Sequence, residues 1–198
     1  MAQVVQPGTS LRDFVMSKIT VDPVTGRPAY GEPERIPYAR TLGYDEGVKT
    51  ATQWGDGKPV FIKRKRGDVE INLEVAGLSM EQEASMFGAA KDPVTGVVTE
   101  NVNDTPPWYA LGWIEELADD HIRGYWCLWG EFEPAGEEYE TYQGEISFKA
   151  RKVKFKGIPR PIDGALRLKA DENELPSGAS LENFFTAATL NGSLPAEG

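Results

Sequence analysis

The chain has 198 residues, a formal net charge of −10 and one cysteine, which suits a single domain with arms that buries roughly 70% of its unfolded surface without staples. The lone Cys127 excludes an internal disulfide and a cysteine-based metal cluster and fits a reducing compartment, and the excess of acid argues against a general nucleic-acid binder. No apolar run approaches the ~20 residues of a membrane span, and the opening Met1-Ala-Gln-Val-Val-Gln-Pro-Gly8 does not read as a signal peptide.

The first expected element is a strand over residues 11–21. It runs into Asp22-Pro-Val-Thr-Gly26, and the same five letters return as Asp92-Pro-Val-Thr-Gly96. Proline sets φ at the second position, the aspartate can cap the turn, and glycine accepts positive φ at its end. A strand precedes the first copy and a helical stretch the second. A repeat would extend well beyond five residues, so one turn chemistry is used twice.

Residues 43–59 are poor in apolar residues and read as a long loop, extending with the adjoining strand ends to Gly67. Trp54 lies in its middle, either covered by a partner or folded back on its own domain. Residues 60–65 are a plausible strand and include the basic run Lys63, Arg64, Lys65, Arg66. Then Val69, Ile71, Leu73 and Val75 alternate with Glu70, Asn72 and Glu74, as a half-buried strand requires.

A helix is expected over residues 80–88. Ser79 and Gln82 form a capping box, Met80, Ala84 and Phe87 share a face, and Gly88 can end it. Residues 108–114 and 124–132 are aromatic-rich strands joined by a polar turn holding the only histidine, His121. Residues 144–150 alternate, and Val153 and Phe155 continue in opposite phase, which suggests a bulge near Arg151 and Lys152. Residues 165–170 are a further strand, residues 180–187 a weak helix, and residues 191–198 a tail.

The chemistry in these residues is sparse. No nucleophile motif accompanies His121, and Asp119, Asp120 and His121 read as a solvated turn before a metal site. Phosphate-binding glycine loops and helical zinc motifs are absent from the sequence. Glu131, Glu133, Glu137, Glu138 and Glu140 cluster after the second aromatic strand; a glycosidase pair and a solvated acidic face are the two readings, the second preferred. The basic stretches at residues 63–66 and 151–156, on an acidic chain, suggest charge-steered self-association, with DNA binding as the rival.

Taken in order, residues 10–20, the Gly/Asp-rich residues 52–57, the strand-to-helix unit 69–88, and the aromatic stretches 107–114 and 125–139 resemble the major tail proteins, or tail tube proteins, of long-tailed phages with non-contractile tails. The resemblance covers roughly residues 10–175 and rests on several stretches in sequence, since that family carries no catalytic signature. It implies a mainly β chain: a β-sandwich or barrel over 10–175 with one flanking helix and a long inter-strand loop, an N-terminal arm over 1–9 and a C-terminal extension over 176–198. It further implies a structural virion protein, not an enzyme, with no cofactor, assembled in the host cytoplasm into hexameric rings that stack into the tube for genome ejection. The implied partners are further copies of itself and the tape measure, tail terminator and distal tail proteins, with DNA passing through without specific binding.

Trp54, Asp56, Lys63, Arg64, Lys65 and Arg66 are then candidates for contact with a neighbouring subunit. Glu70 and Glu74 are candidates for an acidic lumen lining, the tube exterior being the other placement. Both chain ends are expected to order only on stacking. Two other classes stay open: a carbohydrate-binding or glycan-degrading β-sandwich, prompted by five tryptophans and many carboxylates, and a related virion part such as a tail terminator or contractile-tail tube protein.

Overall fold

A computed structural model describes residues 7–136, 150–176 and 180–195. Strand β1 (Gly8–Val21) receives two short partners, β2 (Pro28–Tyr30) and β3 (Glu34–Ile36). A long hairpin follows, β4 (Ala39–Gly55) and β5 (Lys58–Val75), then helix α1 (Met80–Phe87) and a small ladder, β6 (Ala90–Lys91) with β7 (Val98–Thr99). The aromatic strands are β8 (Tyr109–Leu117) and β9 (Ile122–Pro134), followed by β10 (Arg151–Gly157) and β11 (Arg167–Asp171). Two 3-10 turns, Glu172–Glu174 and Leu181–Phe185, and a short helix α2 (Ala187–Gly192) complete the order.

The mainly β expectation is met by one large antiparallel sheet ordered β2-β1-β8-β9-β10-β5-β4, with β3 added to β1 and β11 to β9. The sheet coils until β4 returns beside β1, in a sandwich-like wrap around an enclosed core. Phe14, Ile71, Leu73, Phe132 and Phe155 fill that core. A second core lies on the other face of β1, β8 and β9, where Val15, Ile19, Trp126, Leu128 and Leu190 meet. Neighbours on β1 therefore point into different cores, Phe14 into one and Val15 into the other, because successive strand residues face opposite sides. No helix among the described residues is long and apolar enough to cross a membrane.

Residues 69–75 behave as their alternation demands: Val69, Ile71, Leu73 and Val75 are buried, while Glu70 and Asn72 are exposed. The capping box also forms, with Ser79 Oγ accepting from the Gln82 N–H at 3.1 Å and the Ser79 N–H reaching Gln82 Oε1 at 3.3 Å. Gly88 ends the helix at φ 74°. The buried face of α1 is Ala84 with Met86, and Met80 lies in solvent, so the expected face is rotated.

The two DPVTG segments are the same object. Asp22 Oδ1 accepts from Val24 N at 2.7 Å and Thr25 N at 3.2 Å, and Asp92 Oδ1 repeats both distances with Val94 and Thr95. Gly26 and Gly96 close the turns at φ 68° and 72°. These backbone N–H bonds hold both carboxyls below the usual carboxylate range. A third loop of this shape spans Arg160 to Gly164, where the Gly164 N–H donates to the Arg160 carbonyl at 2.7 Å.

Two expectations are corrected. Residues 43–59, expected as loop, are strand apart from a two-residue turn, and the strand expected over 60–65 belongs to the same hairpin: β4 and β5 pair from Ala39 and Val75 out to Gly55 and Lys58. The connection is only Asp56 and Gly57, at φ 51° and 74°, the pair of positive φ values of a type I′ hairpin turn. The C-terminal tail is docked through Pro195: Leu181 and Leu190 are both buried, Leu190 in the second core, and Arg27 donates to the Pro195 carbonyl. β10 pairs with β5 in unbroken register from Arg151 to Gly157, and the stretch 144–149 that the expected bulge would join to it lies outside the described residues. Residues 1–6 lie outside them as well.

Candidate assembly interface

The β4–β5 hairpin has two regimes. From Ala39 to Glu46 on β4 and from Val69 to Val75 on β5 it is part of the barrel wall. Beyond a register shift between Glu46 and Val48 it leaves the wall, and Gly47 and Gly67 face each other at the departure. A Cβ added to Gly67 would sit 2.9 Å from the Gly47 carbonyl oxygen, so close backbone approach requires glycine there.

Residues 48–66 are exposed along their whole length except the half-buried Gly55. Eight residues of β4, Val48 to Gly55, extend roughly 26 Å at ~3.3 Å per residue. This ribbon is exposed on both faces. Cross-strand pairing puts Lys49 opposite Lys65, Ala51 opposite Lys63 and Gln53 opposite Phe61 on one face. Val48 with Arg66, Thr50 with Arg64 and Thr52 with Ile62 share the other. Trp54, Val60, Phe61 and Ile62 gather near the tip, with Phe61 67% and Trp54 66% exposed. The cations cluster toward the base. Six cations and one carboxylate lie within 48–66, a net +5, so the rest of the chain carries −15.

An isolated two-stranded ribbon is marginal in water. Like charges placed opposite each other, as at Lys49 and Lys65, make it worse. Part of the charge is answered locally: Arg66 Nε lies 2.9 Å from Glu46 Oε1, and Lys49 Nζ lies 3.8 Å from Asp68. Beside the base, Arg167 stacks over Tyr44 at 4.6 Å and Tyr125 at 5.7 Å, and Lys169 over Tyr125 at 5.9 Å. Desolvation first, then Arg167 and Arg66, push the Lys169 ammonium below its usual range. Burial raises the Tyr44 phenol to about 12.

The structure thus brings Trp54, Asp56, Lys63, Arg64, Lys65 and Arg66 onto one projecting arm, with Trp54 in solvent and not folded back. Glu70 and Glu74 lie elsewhere, on the outer face of the barrel wall. Their neighbours on β10 are Lys156 and Lys152, which pair across from them, and Lys154, 3.8 Å from Glu70. Across β10 in turn stand Glu131 and Glu133. The row is therefore a stripe in a mixed field of alternating sign.

His121 sits in the β8–β9 turn, its Nδ1 3.3 Å from Asp119 Oδ2, with Asp120 at φ 64°. Among the described residues no group of three His, Cys, Asp or Glu is placed to hold a metal ion. Glu137, Glu138 and Glu140 lie outside the described residues. Trp113, Trp126 and Trp129 are core residues and Trp108 is half-buried against the second core, so Trp54 is the most exposed tryptophan.

Sequence reasoning missed the polar latch over the second core. Arg160 is 1% exposed and satisfies all five guanidinium N–H groups. Asp163 takes Nε at 2.9 Å and Nη2 at 2.5 Å; Tyr30 Oη takes Nη1 at 3.3 Å; Ser193 takes Nη1 on Oγ and Nη2 on its carbonyl. The available signal was the Arg160–Gly164 spacing and the glycines in the aromatic strands. A Cβ at Gly112 or Gly124 would strike Phe185 or Phe184 of the C-terminal segment. No protein-family model matches the chain, and no curated protein matches it.

Proposed function

We propose that this chain is a structural subunit that polymerises with its own kind into a tube, six copies to a ring and rings stacked head to tail, as the conduit for a phage genome. The observation that carries the reading is the arm. A ribbon of roughly 26 Å, apolar toward its tip, cationic toward its base and exposed on both faces, is an assembly element of a chain whose remainder carries −15. Exposed apolar surface rimmed by charge marks an interaction site, and opposite charge on arm and body selects another copy as partner. The outer edge of β4 supports the same reading: it ends the sheet with its backbone groups unpaired by any other described strand, an invitation to strand pairing that a closed ring removes. An acidic bore would let DNA pass by repelling phosphate. The tape measure, terminator and distal tail proteins are the partners this role requires.

Electron microscopy of the purified chain tests the proposal. Long hollow tubes are expected. Closed single rings would reassign the chain to a terminator role, and dispersed monomers under all salt conditions would end the reading. The glycan alternative keeps a single exposed tryptophan, Trp54 on the arm, since Trp113, Trp126 and Trp129 are each at most 5% exposed; soluble-glycan binding by the monomer would favour it.

A further inference from the structure

We infer that the arm of one copy docks on the α1 end of another, across α1 and the β6–β7 ladder; the inference rests on the self-assembly reading above and names its acceptor surface. Three observations lead there, the first being position. Along β5, Lys58 is at the arm tip and Val75 at the far end, and α1 follows Val75 within five residues. Arg151, paired with Val75, bonds Glu83 of α1, and the Tyr109 hydroxyl bonds Ser85, so α1 is fastened over that end of the barrel. Arm and α1 end therefore lie at opposite poles of the subunit, the arrangement that a head-to-tail contact needs.

The second observation is charge. Residues 79–106 carry five carboxylates, Glu81, Glu83, Asp92, Glu100 and Asp104, against one cation, Lys91, a net −4 to set against the arm's +5. Lys91 answers Glu81 at 3.2 Å and Arg151 answers Glu83. Asp92 and Asp104 cap backbone N–H groups of their own turns, which holds them in place without neutralising them.

The third is apolar exposure. Val94, Val97 and Val102 are 91%, 59% and 104% exposed, and Met80 is 59% exposed. They share this end with an open depression between α1 and the second DPVTG loop, lined by Ala84, Ser85 and Ala89. Each pole thus shows the same two-part surface, apolar residues beside a charged set, with the sign reversed. The apolar tip of the arm fits the valines, and Lys63, Arg64 and Lys65 fit the carboxylates.

Two single-cysteine additions test the contact. Phe61→Cys and Val97→Cys variants of the full chain are prepared separately, mixed under assembly conditions and oxidised with copper phenanthroline. Cys127 is buried and stays silent. Covalent dimers in the mixture, and none in either variant alone, are expected. Charge exchange gives a second readout: Lys63→Glu with Lys65→Glu blocks assembly, and Glu100→Lys with Asp104→Lys in the other partner restores mixed polymers. Normal polymers that never cross-link and are indifferent to these charges overturn the docking site while leaving the self-assembly reading intact. No polymer from the unmodified chain overturns both.

Discussion

Arg160 holds Ser193 twice, through Nη1 to the hydroxyl at 3.0 Å and through Nη2 to the main-chain carbonyl at 2.9 Å. The first residue of a hairpin loop thereby fastens the end of the chain. Asn191 repeats the idea nearby, accepting from the Tyr30 N–H at 2.9 Å and donating to the Tyr30 carbonyl at 3.0 Å. Together they pin the segment whose Leu190 and Phe185 cover Trp126.

Arg160→Met should therefore do more than remove a charge. Asp163 loses its partner and Ser193 loses both bonds; because Asp163 keeps contact with solvent, the cost is that of the unmade hydrogen bonds, about 1–3 kcal/mol. Chemical denaturation measures the loss. Limited proteolysis locates it: cleavage near residue 180 should precede cleavage of the barrel. Equal resistance in both proteins would mean that apolar burial alone holds the segment.

The same pair sets an acid limit. Asp163 is held below its ordinary value of 3.8 chiefly by Arg160. A carboxylate whose folded pKa is depressed adds stability above the unfolded pKa, and that stability is lost as pH falls through the folded pKa. Wild type should weaken below about pH 4, and Asp163→Asn should lose that portion of the pH dependence while being less stable at pH 7. Stability against pH by urea titration checks both signs.

Gly57→Val probes the arm in isolation. A Cβ at Gly57 meets nothing within 4 Å, so the cost is the left-handed backbone itself, about 1–2 kcal/mol confined to the tip. The melting temperature of the barrel should stay unchanged while assembly falls. Removing residues 50–57 should abolish assembly outright. Tubes formed by that deletion would sink the role assigned to the arm.

Cys127 offers a probe of the core. It is 1% exposed, and burial pushes its thiol up to about 12. Alkylation at pH 8 should be negligible in the folded chain and rapid in denaturant, so its rate reports barrel opening.

Legibility in the sequence followed burial. Residues 69–75 and the two aromatic strands were readable because one or both faces are packed, and apolar periodicity is the imprint of a packed face. The α1 cap was readable because its bonds are local. Residues 48–59 left no such imprint: with both faces in solvent, a strand has the composition of a loop. The usable sign was Asp56-Gly57, a two-residue I′ turn flanked by β-prone residues. The latch at Arg160 was hidden for another reason. Its partners, Tyr30, Asp163 and Ser193, are scattered over the chain, and no spacing rule joins them.

Barrel and arm share little beyond the bulge at Gly47 and Gly67. Substitutions along the ribbon leave both cores untouched, and substitutions in the cores leave the ribbon's chemistry unaltered. If the arm is the assembly element proposed above, a lineage of such chains can revise whom it recognises without renegotiating how it folds, and kinship between subunits then drifts on its own clock.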